Sequence, residues 1–332
     1  MSGTALIIGI TGNIGGASAA AFHDHGWRVR ALSRNPDAAS VGVMGAGDVE
    51  WLRGDAMKAE DVANAAAGAD VIVHGANPPG YHDWAGLAMP MLDNTIEAAA
   101  ASGARILFPG NVYPYGPDAW PLVAEDAPQH PVSRKGEIRV AMERRLMEAS
   151  RRGVRSLILR AGDFFGAPGR SSWLGAVMIR PGRPVRSVTY PGAPEVGHAW
   201  AYLPDLAETF VRLAEMDDRL ATCERLHFGG HYFQRGADMA LAVGRAAGLA
   251  EPRVRRLSWP LLRLAAPFSE MLREVLEMRY LWQVDLRLDN RRLVQLLGSE
   301  PHTPLDGALR ETLVRMGCLP GEDRKAASGR AA

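Results

Sequence analysis

Three glycines, Gly9, Gly12 and Gly15, follow the apolar run Ala5-Leu6-Ile7-Ile8 and open into the small-residue pattern Ala17-Ser18-Ala19-Ala20-Ala21. A strand-length apolar run, a glycine turn and an Ala-rich helical pattern, in that order, leave few folds open. Glycines at these spacings permit a sharp strand-to-helix turn and let backbone N–H groups approach a phosphate. The helix N-terminus adds about half a positive charge there. The segment Gly9-Ile10-Thr11-Gly12-Asn13-Ile14-Gly15 therefore predicts a cradle for a dinucleotide pyrophosphate.

From Ala5 to about Arg160, short β-rich runs alternate with longer Ala-rich helical patterns, the signature of βαβ units on a parallel sheet. Strands are expected at Ala5–Ile8, Arg28–Leu32, Val49–Leu52, Asp70–His74, Arg105–Phe108 and Arg155–Leu159. Gly26, Gly68, Gly103 and Gly153 stand where helices would end, each shortly before a strand. The fold class is α/β, a Rossmann-type doubly wound parallel sheet with a smaller C-terminal α/β substrate region. Residues 1–165 form the nucleotide-binding domain and 166–323 the substrate-binding region, where Pro and Gly cluster and the alternation is lost. Residues 324–332 read as a disordered tail.

A balanced formal charge of +1 argues against a nucleic-acid or anionic-membrane partner, and no apolar stretch is long enough to span a membrane, so neither nucleic acid nor membrane is expected. Two widely separated cysteines, Cys223 and Cys318, suggest neither a disulfide framework nor a thiolate metal site, which fits a reducing cytoplasm. His227 and His231 are four apart, but Gly229-Gly230 between them breaks any shared helix face, so no metal is expected. His23 and His25 flank a helix end, where a cation complements the dipole.

The end of the second strand separates NAD from NADP, because an acidic residue there binds the ribose 2′-OH and repels a 2′-phosphate. Here Ser33 stands in that place and Arg34 follows, a residue able to pair with a dianionic phosphate. NADP(H) is expected in preference to NAD(H); the competing reading makes Arg34 a solvated loop arginine. Asp55, with Ala56 after the third strand, accepts from the adenine amine or caps the helix beginning near Lys58. His74, Gly75 and Ala76 at the end of the fourth strand line the nicotinamide ribose side, although a lone histidine is more often a satisfied core residue.

Thr11-Gly12-Asn13-Ile14-Gly15, Gly54-Asp55, Asp70-Val71-Ile72-Val73-His74-Gly75-Ala76, Leu159-Arg160 with Gly166, and Ala201-Tyr202-Leu203-Pro204-Asp205-Leu206-Ala207 follow one another at spacings found together elsewhere. In this order the chain resembles the extended short-chain dehydrogenase/reductases, the NAD(P)-dependent epimerases, dehydratases and reductases, over nearly its whole length. The resemblance implies chemistry by a Ser after the fifth strand and a Tyr-x-x-x-Lys on the next helix. Counting from Tyr115-Gly116, the Ser position falls on Asn111. Counting from Glu143, the Tyr and Lys positions fall on Lys135 and Arg139. The spacing is kept and both chemical groups are replaced.

Three readings follow. Arg139 holds the ribose hydroxyls, Asn111 polarises a carbonyl, and Lys135 or Tyr113 protonates the product; or water or the substrate supplies the proton; or the protein binds NADP(H) without turning it over, as a sensor or scaffold. Taken by itself, Lys135 also reads as an exposed helix lysine. Asp163 puts a carboxylate where the family's nucleotide-sugar enzymes resemble this stretch with an Asn near the diphosphate, which disfavours a sugar nucleotide. Trp173, Trp200 and Tyr202, with Phe164 and Phe165, then line an apolar pocket for a small carbonyl or hydroxyl compound, unless they are plain core. Val140, Leu146 and Met147 on the amphipathic helix could bury against a second copy in a homodimer.

Overall fold

The computed structural model describes residues 3–42, 48–78, 84–169 and 172–320; the expected tail at 324–332 lies outside them. Strands apolar on both faces need cover on each side, and the first strand is of this kind, with Ala5, Leu6 and Ile7 wholly buried. The main sheet has seven strands: β1 (Thr4–Ile8), β2 (Arg28–Ser33), β3 (Val49–Arg53), β4 (Val71–His74), β5 (Arg105–Asn111), β6 (Ser156–Ala161) and β7 (Cys223–His227). Their order is β7-β6-β5-β4-β1-β2-β3, parallel throughout. This is a doubly wound α/β sheet, and the strand order reverses between β1 and β4, where such folds bind ligands. Register places Ile8 beside Leu32 and His74, and Ser33 beside Arg53, so the loops that follow leave the sheet on one carboxyl edge.

The expected strands form within a residue or three of their bounds. Gly26, Gly68, Gly103 and Gly153 all have φ between 69° and 84°, the left-handed conformation of a helix-ending glycine. The chain divides into two compact units, one of residues Met1–Ala161, Pro204–Gly229 and Leu288–Pro301, the other of Gly162–Leu203, Gly230–Arg287 and the segment from His302. The sequence reading draws a single boundary at 165/166, whereas two later segments return to the first unit. One brings β7, whose sequence Cys-Glu-Arg-Leu-His lacks the apolar run that marks its neighbours.

In the second unit, Asp163–Phe165 runs parallel to His198–Tyr202, which pairs antiparallel with His231–Phe233. This unit has its own core, with Phe165, Trp200, Tyr202, Trp282 and Leu309 all at most 1% exposed.

A buried ion pair ties the helix Arg134–Ser150 to the main sheet. Arg160 on β6 donates through Nε to Glu143 Oε1 at 3.0 Å and through Nη2 to Glu143 Oε2 at 2.7 Å, and both side chains are 1% exposed. Arg160 Nη1 also donates to Glu125 O at 3.1 Å and lies 3.2 Å from His227 Nε2, while Gln129 donates to Glu143. His227 Nδ1 donates to Val123 O at 3.2 Å, which leaves Nε2 as the acceptor for Arg160 and for the Tyr115 hydroxyl at 2.9 Å. Burial, and then the Arg160 charge, push the His227 pKa down to about 3, so the ring is a neutral acceptor. Gly110 on β5 makes room for this network, since a Cβ there would lie 2.7 Å from Arg160 Cγ.

Leu146, expected at a subunit interface, is 0% exposed in the core of its own unit, because the residues one turn away on its face also point at the sheet. It is not available to a second copy.

At the opposite end of the sheet, His25 Nε2 meets Glu208 Oε2 at 2.9 Å and its Nδ1 meets Glu215 Oε1 at 3.0 Å. Burial opposes the ring's charge, but the bonds to Glu215 and Glu208 outweigh it and raise the pKa above 6.5. The stabilisation is fully present below about pH 6.5 and is lost as pH rises through the raised value. His25→Asn is expected to cost about 1 kcal/mol or less at pH 6, given solvent screening, and progressively less above; urea unfolding at a series of pH values checks this, and a pH-independent gap would refute it. Glu143→Ala leaves Arg160 buried without its counter-ion and is expected to cost about 3–5 kcal/mol in the same measurement. A loss under 1 kcal/mol would mean that water reaches the guanidinium.

Candidate active site

The loop after β1 is shaped by backbone contact. Gly9 has φ +86°, and a Cβ on it would lie 2.7 Å from Ala76 N and from Gly75 O. A Cβ on Gly15 would lie 2.1 Å from Gly9 O, so the first turn of the helix Asn13–Asp24 packs on the loop it leaves. Gly12 precedes this helix without a side-chain cap, and no acidic residue stands in its first turn. Thr11 and Gly12 are exposed, Asn13 and Ile14 half-buried. The helix thus starts without a side-chain cap or a competing carboxylate, directly after a turn that only glycines at positions 9 and 15 can make.

At the next strand end, Ser33 Oγ accepts from Asn35 N at 3.2 Å, and Arg34 is exposed. Arg53, opposite Ser33 in register, donates to Arg34 O at 3.2 Å and to Asp37 at 3.4 Å. Arg34 and Arg53 thus both stand at the carboxyl end of the β2–β3 pair. Arg53 was not singled out from the sequence, although its place one residue before Gly54 was the available signal. Asp55 Oδ1 accepts from Met57 N at 3.0 Å, shaping the turn before the helix Ala59–Ala66. It does not cap that helix, whose N-cap is Lys58. Ala56 O is held by Asn94 Nδ2 at 2.9 Å.

His74 is 3% exposed. Its Nδ1 lies 2.9 Å from Thr95 Oγ1, and that hydroxyl donates to Met91 O at 3.0 Å, so Nδ1 carries the proton. Nε2 is then a buried acceptor with no hydrogen-bond partner among the described residues. Burial, and secondarily the charge of Arg139, lower its pKa to about 3. Gly75 N donates to Ile8 O at 2.9 Å, carrying the β1–β4 pairing one residue beyond the strand.

Asn111 closes β5, and its Oδ1 accepts from Tyr113 N at 3.1 Å, which leaves the amide Nδ2 as a donor. The following helix starts close by, since a Cβ on Gly136 would lie 2.4 Å from Tyr113 O. Ser133 caps this helix by accepting from Gly136 N at 3.1 Å. Lys135, in the first turn, is 2% exposed, which removes the reading of it as a solvated lysine. Arg139 donates to Pro109 O at 3.3 Å and lies 5.5 Å from the centroid of Phe108, whose ring stacks on His74 at 6.0 Å. Asn111, Tyr113, Lys135, Arg139 and His74 are therefore grouped at the ends of β4 and β5.

The residues expected to meet substrate belong to the second unit. Asp163 Oδ2 lies 2.8 Å from His198 Nε2, and His198 stacks on Trp282 at 4.0 Å with ring planes 9° apart. Trp200 and Tyr202, expected as pocket walls, are 0% and 1% exposed and form core instead, because all five residues of their strand are buried; the Tyr202 hydroxyl donates to Glu311 at 2.6 Å. Trp173 is half-buried and meets Trp282 edge-on at 5.0 Å. His227 lies in the Arg160 network, and no group of metal-binding side chains occurs among the described residues.

The model of the NAD dependent epimerase/dehydratase family matches residues 5–228. MoeE5, solved with UDP-glucose and NAD, is similar with a TM-score of 0.70 at 19% identity, over 98% of this chain and 100% of that one. UDP-N-acetylglucosamine 4-epimerase from Bacillus cereus gives 0.72 at 14% identity, over 95% and 99%. UDP-glucose 4-epimerase from Brucella ovis, in complex with NAD, gives 0.72 at 16%, over 95% and 99%. No curated protein matches the chain in sequence. At such identities the solved structures speak for the fold, while the family model spans more than half of the chain. With the glycine turn, the strand order and the family match in agreement, this chain belongs to the NAD-dependent epimerase/dehydratase family.

Proposed function

We propose that the chain is an NADP(H)-dependent oxidoreductase or epimerase-like enzyme for a small carbonyl or hydroxyl compound. The observation that carries this reading is the burial of Lys135, 2% exposed in the first turn of a helix and next to the Asn111–Tyr113 turn. A lysine buried in the first turn of a helix, beside the strand ends that carry Asn111 and His74, is a candidate for proton transfer.

A bound nicotinamide dinucleotide supplies the hydride donor or acceptor. The loop Gly9–Gly15 holds its pyrophosphate, with Thr11, Asn13 and Ile14 contributing the backbone of the turn. Arg34 takes the 2′-phosphate beside Ser33, and Asp55 and Ala56 border the adenine. Arg139, fixed on Phe108 and Pro109 O, holds the ribose hydroxyls in place of the lysine that the family resemblance implies. Neutral His74 offers Nε2 as an acceptor and, with Gly75 and Ala76, adds no charge near the nicotinamide. Asn111 Nδ2 donates to the reacting oxygen, and Lys135 or Tyr113 gives or takes its proton.

MoeE5 is a structure with UDP-glucose. Here the carboxylate of Asp163 is already engaged by His198, and an anionic diphosphate beside it would meet repulsion. A small uncharged substrate fits better. The replacement of both Tyr and Lys by Lys135 and Arg139 favours one second reading, a binding protein that does not turn the cofactor over.

Incubation with NADPH and a panel of aldehydes, ketones and enones is expected to oxidise the cofactor; tight NADPH binding without turnover across the panel would select the second reading. Lys135→Met is expected to lower kcat by about 100-fold or more with the NADPH Kd unchanged, and unchanged turnover would remove Lys135 as the proton donor. Arg34→Ala is expected to weaken NADPH by about 1–3 kcal/mol in a fluorescence titration and to leave NADH unaffected. Equal losses for the two cofactors would overturn the phosphate assignment.

A further inference from the structure

Among the described residues, three of the large exposed apolar side chains fall within eight positions of one another: Leu261 at 65%, Leu264 at 73% and Phe268 at 91% exposed. They recur at i, i+3 and i+7 along the helix Trp259–Ala265 and the turn Ala266–Phe268, and so form one stripe. The opposite stripe is spent on the second unit's own core. Trp259 and Ala266 are buried, Leu262 packs against that core, and Trp259 Nε1 donates to Pro191 O at 2.7 Å. The helix is apolar on both faces, yet only one face has a partner.

The exposed face is held in place. Arg273 Nη1 donates to Ala266 O at 3.2 Å and to Pro267 O at 3.3 Å, bracing the turn that carries Phe268. From Pro252 to Ser269 the sequence holds Arg253, Arg255, Arg256 and Arg263 and no acidic residue. All four arginines are exposed, and none makes an ion pair among the described residues. An apolar tip with exposed arginines close to it in sequence, in a stretch bounded by Glu251 and Glu270, has the chemistry of an interfacial anchor: the apolar residues enter the acyl boundary, and the arginines pair with phosphate headgroups. Phe268, 91% exposed at the apex of a turn, is an apolar group presented to solvent with no cover from its own chain.

We propose that the segment Pro252–Ser269 docks the protein on the surface of an anionic phospholipid bilayer, with Leu261, Leu264 and Phe268 inserted and Arg253, Arg255, Arg256 and Arg263 on the headgroups. This is attachment to a surface; no helix is long and apolar enough to cross a membrane among the described residues. It is independent of the cofactor and substrate assignments.

The test is co-sedimentation of the full chain with phosphatidylcholine vesicles, with and without phosphatidylglycerol, at low and high salt. The chain is expected to sediment with the anionic vesicles alone and to release at high salt. Binding should fall by at least about tenfold in Leu264→Ser/Phe268→Ser and in Arg255→Gln/Arg256→Gln. The substituted side chains are exposed, and an unchanged thermal unfolding curve by circular dichroism in each variant verifies that the fold is intact. Sedimentation with neither vesicle, equal binding to both, or variants that bind as the parent does would overturn the proposal. So would a dimer in light scattering that Phe268→Ser dissociates, which would assign the face to a second copy of the chain.

Discussion

The bidentate pair between Arg160 and Glu143 is the contact on which the arrangement of the first unit depends. Neither partner reaches water, so each is tolerable only because the other is there. Through it the helix Arg134–Ser150 is fixed against β6, and with that helix the positions of Lys135 and Arg139. The same guanidinium reaches His227 on β7 and the Glu125 carbonyl, so one side chain ties together a helix, two strands and the segment that leads into the helix. A neutral His227 is part of the design: a protonated ring beside Arg160 would put two cations in one buried space.

Electrostatics at the grouped residues follow a similar logic. Arg139 stands over Phe108, and its charge, added to burial, keeps His74 neutral. A permanent cation therefore has a neutral acceptor for a neighbour, and a second cation, Lys135, lies one turn away on the same helix. Exchanging Tyr-x-x-x-Lys for Lys-x-x-x-Arg keeps two hydrogen-bonding groups a helical turn apart. It also changes the first of them from a neutral acid to an ammonium.

Much of the first unit was legible because its signals are local. Six strands could be read as apolar runs, and four helix ends as glycines with positive φ, since both depend on a few consecutive residues. Tyr115, Glu143 and Arg160 were legible as spacings but not as a network, because the contacts that join them run between residues 17 and more positions apart. The seventh strand was missed for lack of an apolar run. Trp200 and Tyr202 illustrate the opposite failure: aromatic residues look alike in a sequence whether they wall a pocket or fill a core, and the burial of their whole strand decides it.

The sequence by itself determined six of the seven strands and the glycine turn after the first of them, because these rest on apolar runs and backbone sterics that act over a few residues. The family relationship rests on the same short-range pattern. Only the tertiary structure decided that Lys135 is buried, that the Asp163 carboxylate is held by His198, that His74 keeps its proton on Nδ1, and that a stripe of leucine and phenylalanine remains on the outside. Burial and pairing depend on segments distant in the chain, and no local pattern encodes which of two apolar helix faces will find the core.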